Sequence, residues 1–310
     1  MNKRHKILMT AWTAALLVAA VLFWDRLFPR GTVPVGPGKA DNVSVAADTA
    51  PAQAGRGPSA PSQAQLQQAL KARNPGYNGR GQFAEQGGKI VLIDLSGAGL
   101  TDLTPLKGLS LEALDISRNP VSDLSPLKGM PLRKLGLEGT KVVDLAPLGG
   151  MPLTDLYMNN TPVRDLSPLK GLPLKMLNLF ETGVEDLSPL AGMALEFLWL
   201  NGTRVKDISP LKGCPLVSLT LERTPVADLS PLAGSKLERL HIGQSAVTDL
   251  TPIKGLPLTR LIFTPKQIKQ GMEIARGTPS IREVGTTLDG KMQPEQFWAL
   301  FDQGKLVPSP

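Results

Sequence analysis

One cysteine, Cys214, and two histidines, His5 and His241, occur in 310 residues. That supply is too small for a disulfide within the chain or a multi-His/Cys zinc cluster, and it argues against a His-paired nucleophile. Aromatic residues are scarce at 5%, so wherever several gather the position is informative. Hydrophobic residues at 42% and charged residues at 20% are near globular averages, which excludes a wholly disordered chain and a polytopic membrane protein. No catalytic, cofactor-binding or metal residues are expected.

The net charge of +7 does not mark a nucleic-acid surface, because it is unevenly distributed. Residues 1–64 carry seven Lys/Arg against three Asp/Glu, and residues 65–310 carry 27 against 24, leaving +4 and +3. Neutralising many phosphates requires clustered cations. Here the excess lies largely beside an apolar segment, and no nucleic-acid partner is expected.

The chain has one long uncharged run, Ile7 to Trp24, preceded by Lys3, Arg4 and Lys6 and followed by Asp25, Arg26 and Arg30. Its eighteen residues would reach roughly 27 Å as a helix, close to the hydrocarbon thickness. The flanking charges predict a single-pass anchor over residues 7–24 in the cytoplasmic membrane, with the N-terminus inside and the remainder outside. The alternative is a signal peptide cleaved near Val18-Ala19-Ala20, giving a secreted protein. Cleavage there would begin the mature chain with the apolar Val21-Leu22-Phe23-Trp24. Residues 29–61 are rich in Pro, Gly, Ala, Ser and Val. They cannot bury enough apolar area to offset chain entropy, and read as a flexible tether.

From there a pattern takes over. Asp102-Leu103-Thr104-Pro105-Leu106 returns with Asp at 123, 144, 165, 186, 207, 228 and 249, eight copies spaced by 21 residues without insertion or deletion. Between them runs Leu-x-x-Leu-x-Leu-x-x-Thr/Asn-x-Val, as in Leu111, Leu114, Ile116, Asn119, Val121 and in Leu195, Leu198, Leu200, Thr203, Val205. With an early unit at Ile90 and a last at Leu258, Leu261, Phe263, there are nine units. A fixed period of this length marks a solenoid, in which each unit's apolar face is covered by its neighbours. The pattern resembles the bacterial leucine-rich repeat, and its Asp-Leu-Ser-Pro-Leu half resembles the internalin-type form, over about residues 90–264. The resemblance implies an α/β solenoid, a horseshoe or arc of short parallel strands with capping helices. Similar arrays occur beside bacterial kinase domains, but no Gly-rich loop with a downstream Lys and Asp set is present, so kinase activity does not carry over.

The unit has its own physics. Leu-x-Leu alternation gives a short strand whose neighbours lie about 4.8 Å away. Ser-Pro is a helix-start signal in which the hydroxyl is expected to cap a free N–H. Gly108 and its equivalents through Gly255 suit chain reversal at positive φ. The unit is too short for a full convex helix, so 3₁₀ or single-turn segments are expected. Five regions follow: residues 1–28, anchor; 29–61, tether; 62–89, N-terminal cap; 90–264, solenoid; 265–310, C-terminal helical cap. Ser62 is expected to cap a helix over Gln63–Arg73, and Gly81–Glu85 to pair with Lys89–Ile93. At the far end, Lys266–Arg276 and Gln293–Gln303 read as helices, with Phe297, Trp298, Leu300 and Phe301 covering the last coil. The Asp row reads as turn capping rather than a metal ladder, because a cation needs several oxygens converging on one point. Cys214 reads as a packing residue.

The units differ at the outward strand positions. Tyr157, Met176, Phe180, Phe197 and Trp199 fall on three adjacent strands and face outward, whereas Phe263 faces inward. Asp155, Arg239 and His241 lie beside them, with His241 read as a surface contact. Such a patch approaches the size at which exposed apolar surface marks a contact site; the competing reading is side-chain ladder packing. These eight residues are the candidate partner-binding set of a membrane-tethered, non-enzymatic module that binds a protein or peptide through its concave sheet. The alternatives are an envelope scaffold without a specific ligand and an accessory sensor of a signalling system. A hydrolase using surface carboxylates is disfavoured, since no pair has a setting that separates its pKa values. If the anchor is retained, the chain stays with membranes after carbonate washing and its N-terminus is Met1 or Asn2. An N-terminus at Val21, or release into the soluble fraction, contradicts it.

Overall fold

The computed structural model describes residues 61–86 and 88–306. The anchor over residues 7–24 and nearly all of the tether lie outside the described residues. Among the described residues, no helix is long and apolar enough to cross a membrane.

The first element is helix α1, Gln63–Arg73, where Ser62 and Gln65 form a reciprocal capping box and Asn74 ends the helix. An antiparallel hairpin follows, β1 (Gln82–Gln86) against β2 (Lys89–Asp94). Three-residue strands then recur in strict period: β3 (Ala113–Asp115), β4 (Lys134–Gly136), β5 (Asp155–Tyr157), β6 (Met176–Asn178), β7 (Phe197–Trp199), β8 (Ser218–Thr220), β9 (Arg239–His241) and β10 (Arg260–Ile262). With β11 (Glu283–Gly285) they form one sheet in chain order, parallel from β2 onward. The register places each leucine beside the next, for example Leu156↔Leu177↔Leu198↔Leu219. Each of these is at most 1% exposed, so they form a continuous inner column.

Every repeat returns through a 3₁₀ turn such as Ser125–Leu127 or Ser188–Leu190, whose leucine closes the core from the convex side. The capping group differs from the expected one. In all eight turns the Asp two residues upstream accepts the backbone N–H of the Ser, Thr or Ala position. The serine hydroxyl itself donates to the second Asp oxygen, as Ser188 does to Asp186 at 2.7 Å. A carboxylate is the stronger acceptor, so the hydroxyl serves as donor rather than cap. These hydrogen bonds hold the carboxyls of Asp165, Asp186 and Asp207 below their usual range. The reversal glycines Gly108 through Gly255 have φ between 72° and 81°.

The C-terminal end departs from expectation in two ways. The expected helix over Lys266–Arg276 is split into a 3₁₀ turn, Pro265–Gln267, and helix α2, Met272–Gly277. Residues between them continue the coil instead: Lys269 N–H donates to Thr248 and Gln270 accepts from Leu250. Gly271, at φ 79°, then breaks the backbone where a Cβ would strike Leu250 and Thr251. The sheet also runs one strand past the nine sequence units, because Ile281 and Val284 take the places of the strand leucines in β11. Helix α3, Pro294–Asp302, lays Phe297 and Trp298 against Phe263, with ring centroids 5.9 and 6.4 Å apart. That is the covering expected of a solenoid end.

Two outcomes test this fold. Leu177 is fully buried, so Leu177→Ala should cost roughly 2 to 5 kcal/mol by transfer and cavity terms. Lys175 is exposed and pairs with Glu196 at 3.0 Å on the surface; Lys175→Ala should change stability by less than about 1 kcal/mol. Denaturant melts measure both, and equal effects would reject the register. The Asp turns predict an acid limb: folded carboxyls titrate below their ordinary range, so the unfolded chain takes up protons first. Stability is therefore complete above that range and falls as pH drops through the folded pKa values. Asp186→Asn should shallow this limb in urea melts taken from about pH 5 to pH 2.

Candidate binding face

The parallel register converts sequence columns into rows on the concave side. Asp155, Met176 and Phe197 stand in register on successive strands, as do Tyr157, Asn178 and Trp199. Phe180 follows two residues past Asn178, whose side-chain oxygen accepts the Phe180 N–H at 3.0 Å. The five apolar and aromatic residues read from the sequence are thus brought together. Phe197 and Trp199 have ring centroids 6.2 Å apart with planes inclined by 17°. The Arg239 guanidinium lies 5.6 Å from the Phe197 centroid, within reach of a cation–π contact.

The sequence columns did not reveal how deep the side chains sit. Tyr157, Phe180, Phe197, Trp199 and Arg239 are half-buried. Asp155 and Met176 are buried rather than open: Thr154 Oγ1 donates to Asp155 at 2.8 Å, and the Tyr157 hydroxyl lies 3.7 Å from the Met176 sulfur. Burial, with the Asp155 charge second, pushes the Tyr157 phenol well above its usual range.

His241 is the clearest correction, being 2% exposed and not a surface contact. It stands between Thr220 and Ile262 in register and leans over Gly243, where a Cβ would come within 3.0 Å of its Nε2 and 3.4 Å of the Thr286 carbonyl. The absent side chain leaves room for the ring. Burial, with nearby Arg223 second, lowers its pKa to about 4, so it is neutral at physiological pH and its 3.9 Å approach to Glu222 is no ion pair there.

Three further polar residues adjoin it that the sequence did not single out as a group: Asn201, Thr220 and Glu222, each at most 8% exposed. Asn201 Nδ2 donates to Glu222 Oε2 at 3.2 Å. Asn201 Oδ1, Thr220 Oγ1 and both His241 ring nitrogens are buried without hydrogen-bond partners. The available sequence signal was their position in the outward columns beside Trp199; burial is a property of side-chain packing and left no pattern.

Glu181 and Arg223 line the adjoining turns at φ 53° and 55°, an unusual region for residues with side chains. Their ion pair, at 2.6 Å, spans the intervening coil at Gly202, where a Cβ would lie 2.8 Å from Glu181 Cδ. Two open hollows, of about 260 and 440 Å³, lie elsewhere, between convex turns near Lys206 and Pro231 and beside Leu256 and Pro279. Among the described residues, no group of three or more His, Cys, Asp or Glu is arranged to hold a metal ion.

No family model and no curated protein matches the chain. Solved structures do. The crystal structure of internalin InlF from Listeria monocytogenes is similar over 70% of this chain and 72% of that one, with 23% identity and a TM-score of 0.53. Internalin C2 from the same species is similar over 64% of this chain and 92% of that one, at 24% identity and a TM-score of 0.53. The chain therefore has the internalin-type leucine-rich-repeat fold.

The His241 environment makes a pH prediction. Its folded pKa, about 4, lies below the ordinary histidine value of 6.5, so the unfolded chain binds this proton more readily. Its contribution is complete above 6.5 and is lost as pH falls towards 4, amounting to about 3 kcal/mol at most. His241→Gln should flatten stability across that interval, as read by urea melts. An unchanged slope means the ring titrates like an exposed histidine.

Proposed function

We propose that this chain is a binding module, tethered outside the cytoplasmic membrane, that holds a protein or peptide against its concave sheet and performs no chemistry itself. The observation that carries the reading is the gathering of Tyr157, Phe180, Phe197 and Trp199 on one half-buried face, when aromatics make up only 5% of the chain. Aromatic residues concentrate in the energetic centres of protein interfaces. Lys134, Glu138 and Arg239 give that centre a mixed polar rim, the usual anatomy of a contact surface. Concave surfaces of solenoids serve this purpose because their curvature offers an extended platform.

The second reading, an envelope scaffold, is favoured by the Phe197–Trp199 stack, since ring stacking also stabilises a sheet without any ligand. The two readings diverge on Trp199. With a partner captured from envelope extracts by cross-linking to the concave face, Trp199→Ala should weaken binding by roughly 2 kcal/mol or more while the chain stays folded. If neither Trp199→Ala nor its combination with Phe180→Ala weakens that partner, the stack is structural and the scaffold reading replaces the binding one.

A further inference from the structure

Elsewhere on the concave face, polar side chains are served by their own turns. Asp94 accepts from Ser96 N–H, Asp115 from Ser117 N–H and Asn178 from Phe180 N–H, at 2.8 to 3.0 Å. The cluster of Asn201, Thr220, Glu222 and His241 breaks this rule on three successive coils. Its four side chains are at least 92% buried, yet four of their polar atoms have no hydrogen-bond partner. Leaving a buried polar atom unpaired costs about 1 to 3 kcal/mol, so a native protein that keeps several in one place requires a reason.

The donor and acceptor inventory indicates what is missing. Glu222 and Asn201 Oδ1 supply only acceptors, while Thr220 and a neutral His241 each bring one donor as well as an acceptor. Asn201 Nδ2 is the one hydrogen-bond donor on the Glu222 carboxylate among the described residues. The nearby cations are committed elsewhere: Arg223 to Glu181, Arg239 to the Phe197 ring and Arg260 to Glu283. Glu222 therefore stands as a buried carboxylate without a hydrogen-bonded cation, and burial raises its pKa despite the opposing charge of Arg223. Trp199 lies on the adjacent strand with a half-buried ring, a surface that attracts cations. We infer that this cluster is a cation subsite, which takes a lysine or arginine side chain of the protein partner onto Glu222 beside Trp199. The inference rests on the concave-binding reading above and adds the chemistry of one contact. The partner's cation would give the Glu222 carboxylate the charge partner that it lacks.

The test is a peptide-display selection against the full-length chain, with Glu222→Gln and Trp199→Ala as parallel targets. Peptides enriched on the wild type should carry a basic residue beside an apolar one. Changing that basic residue to norleucine, or Glu222 to Gln, should each weaken binding about tenfold or more, as expected for one partner of a buried charge pair. Thermal melts confirm that each variant is folded. If Glu222→Gln does not fold, competition on the wild type decides: Nα-acetyl-lysine methylamide should displace the peptides and its norleucine analogue should not. Peptides that depend on Trp199 without any preference for a basic residue overturn the cation subsite and leave the concave-binding reading standing; trapped water then accounts for the cluster. Peptides indifferent to Trp199→Ala overturn both.

Discussion

From β2 to β10 each strand stands in register with the next at a constant offset of 21 residues, and the rest of the molecule depends on that offset. Beyond the strands the ladder continues through the turns, with Leu137 N–H donating to Tyr157, Met158 to Asn178 and Leu179 to Trp199. An insertion in one coil would turn its leucines out of the column, because a slip of one residue exchanges the two faces of a strand. The side chains that protect the offset are polar and local. Thr140, Thr161, Thr182, Thr203 and Thr224 each donate from the hydroxyl to the carbonyl three residues back, and the Asp turns close the other side of the coil. Buried leucines supply the apolar stabilisation, while these short hydrogen bonds keep every coil the same length.

A regular frame makes irregularity at its surface meaningful. Since inward positions and turns are nearly invariant, the concave columns can vary without disturbing the core, and the chain places most of its solenoid aromatics there. Glu181 and Arg223 show the same freedom at the turns. Glycine occupies the equivalent turn position at Gly97, Gly139 and Gly202 with similar positive φ, whereas Glu181 and Arg223 adopt it with long charged side chains. The unfavourable φ of such residues is a local penalty that the neighbouring coils absorb, because stability in a solenoid is close to a sum over adjacent units.

Much of this architecture was legible in the sequence because it is periodic. The repeat located β2 through β10, and the Ser62 box and the Phe297–Trp298 pair marked the two ends. What could not be read had no period. β11 follows β10 by 23 residues rather than 21, so Val284 falls outside the count even though it pairs with Leu261. Gly271 lies within the stretch expected as the Lys266–Arg276 helix, yet its close approach to Leu250 set the break. The outward columns placed Tyr157, Phe197 and Trp199 correctly on one face. They did not show that His241 would be buried, its ring lying where a side chain at Gly243 would meet it.

The covered histidine also explains how the apolar and polar parts of the concave face differ. Around Trp199 the rings pack against one another and against Arg239, so this part of the face is already stabilised without a partner. At Asn201, Thr220, Glu222 and His241 the fold buries polar atoms, four of which have no hydrogen-bond partner in the protein, which is unfavourable in the isolated chain. Replacing these four with apolar residues of similar volume would relieve that penalty, much as apolar replacements of buried charged groups are often neutral or stabilising. Apolar packing would serve a structural wall without that penalty. On the proposed binding reading, the polar set beside the aromatic patch is the part of the face that a partner would complete.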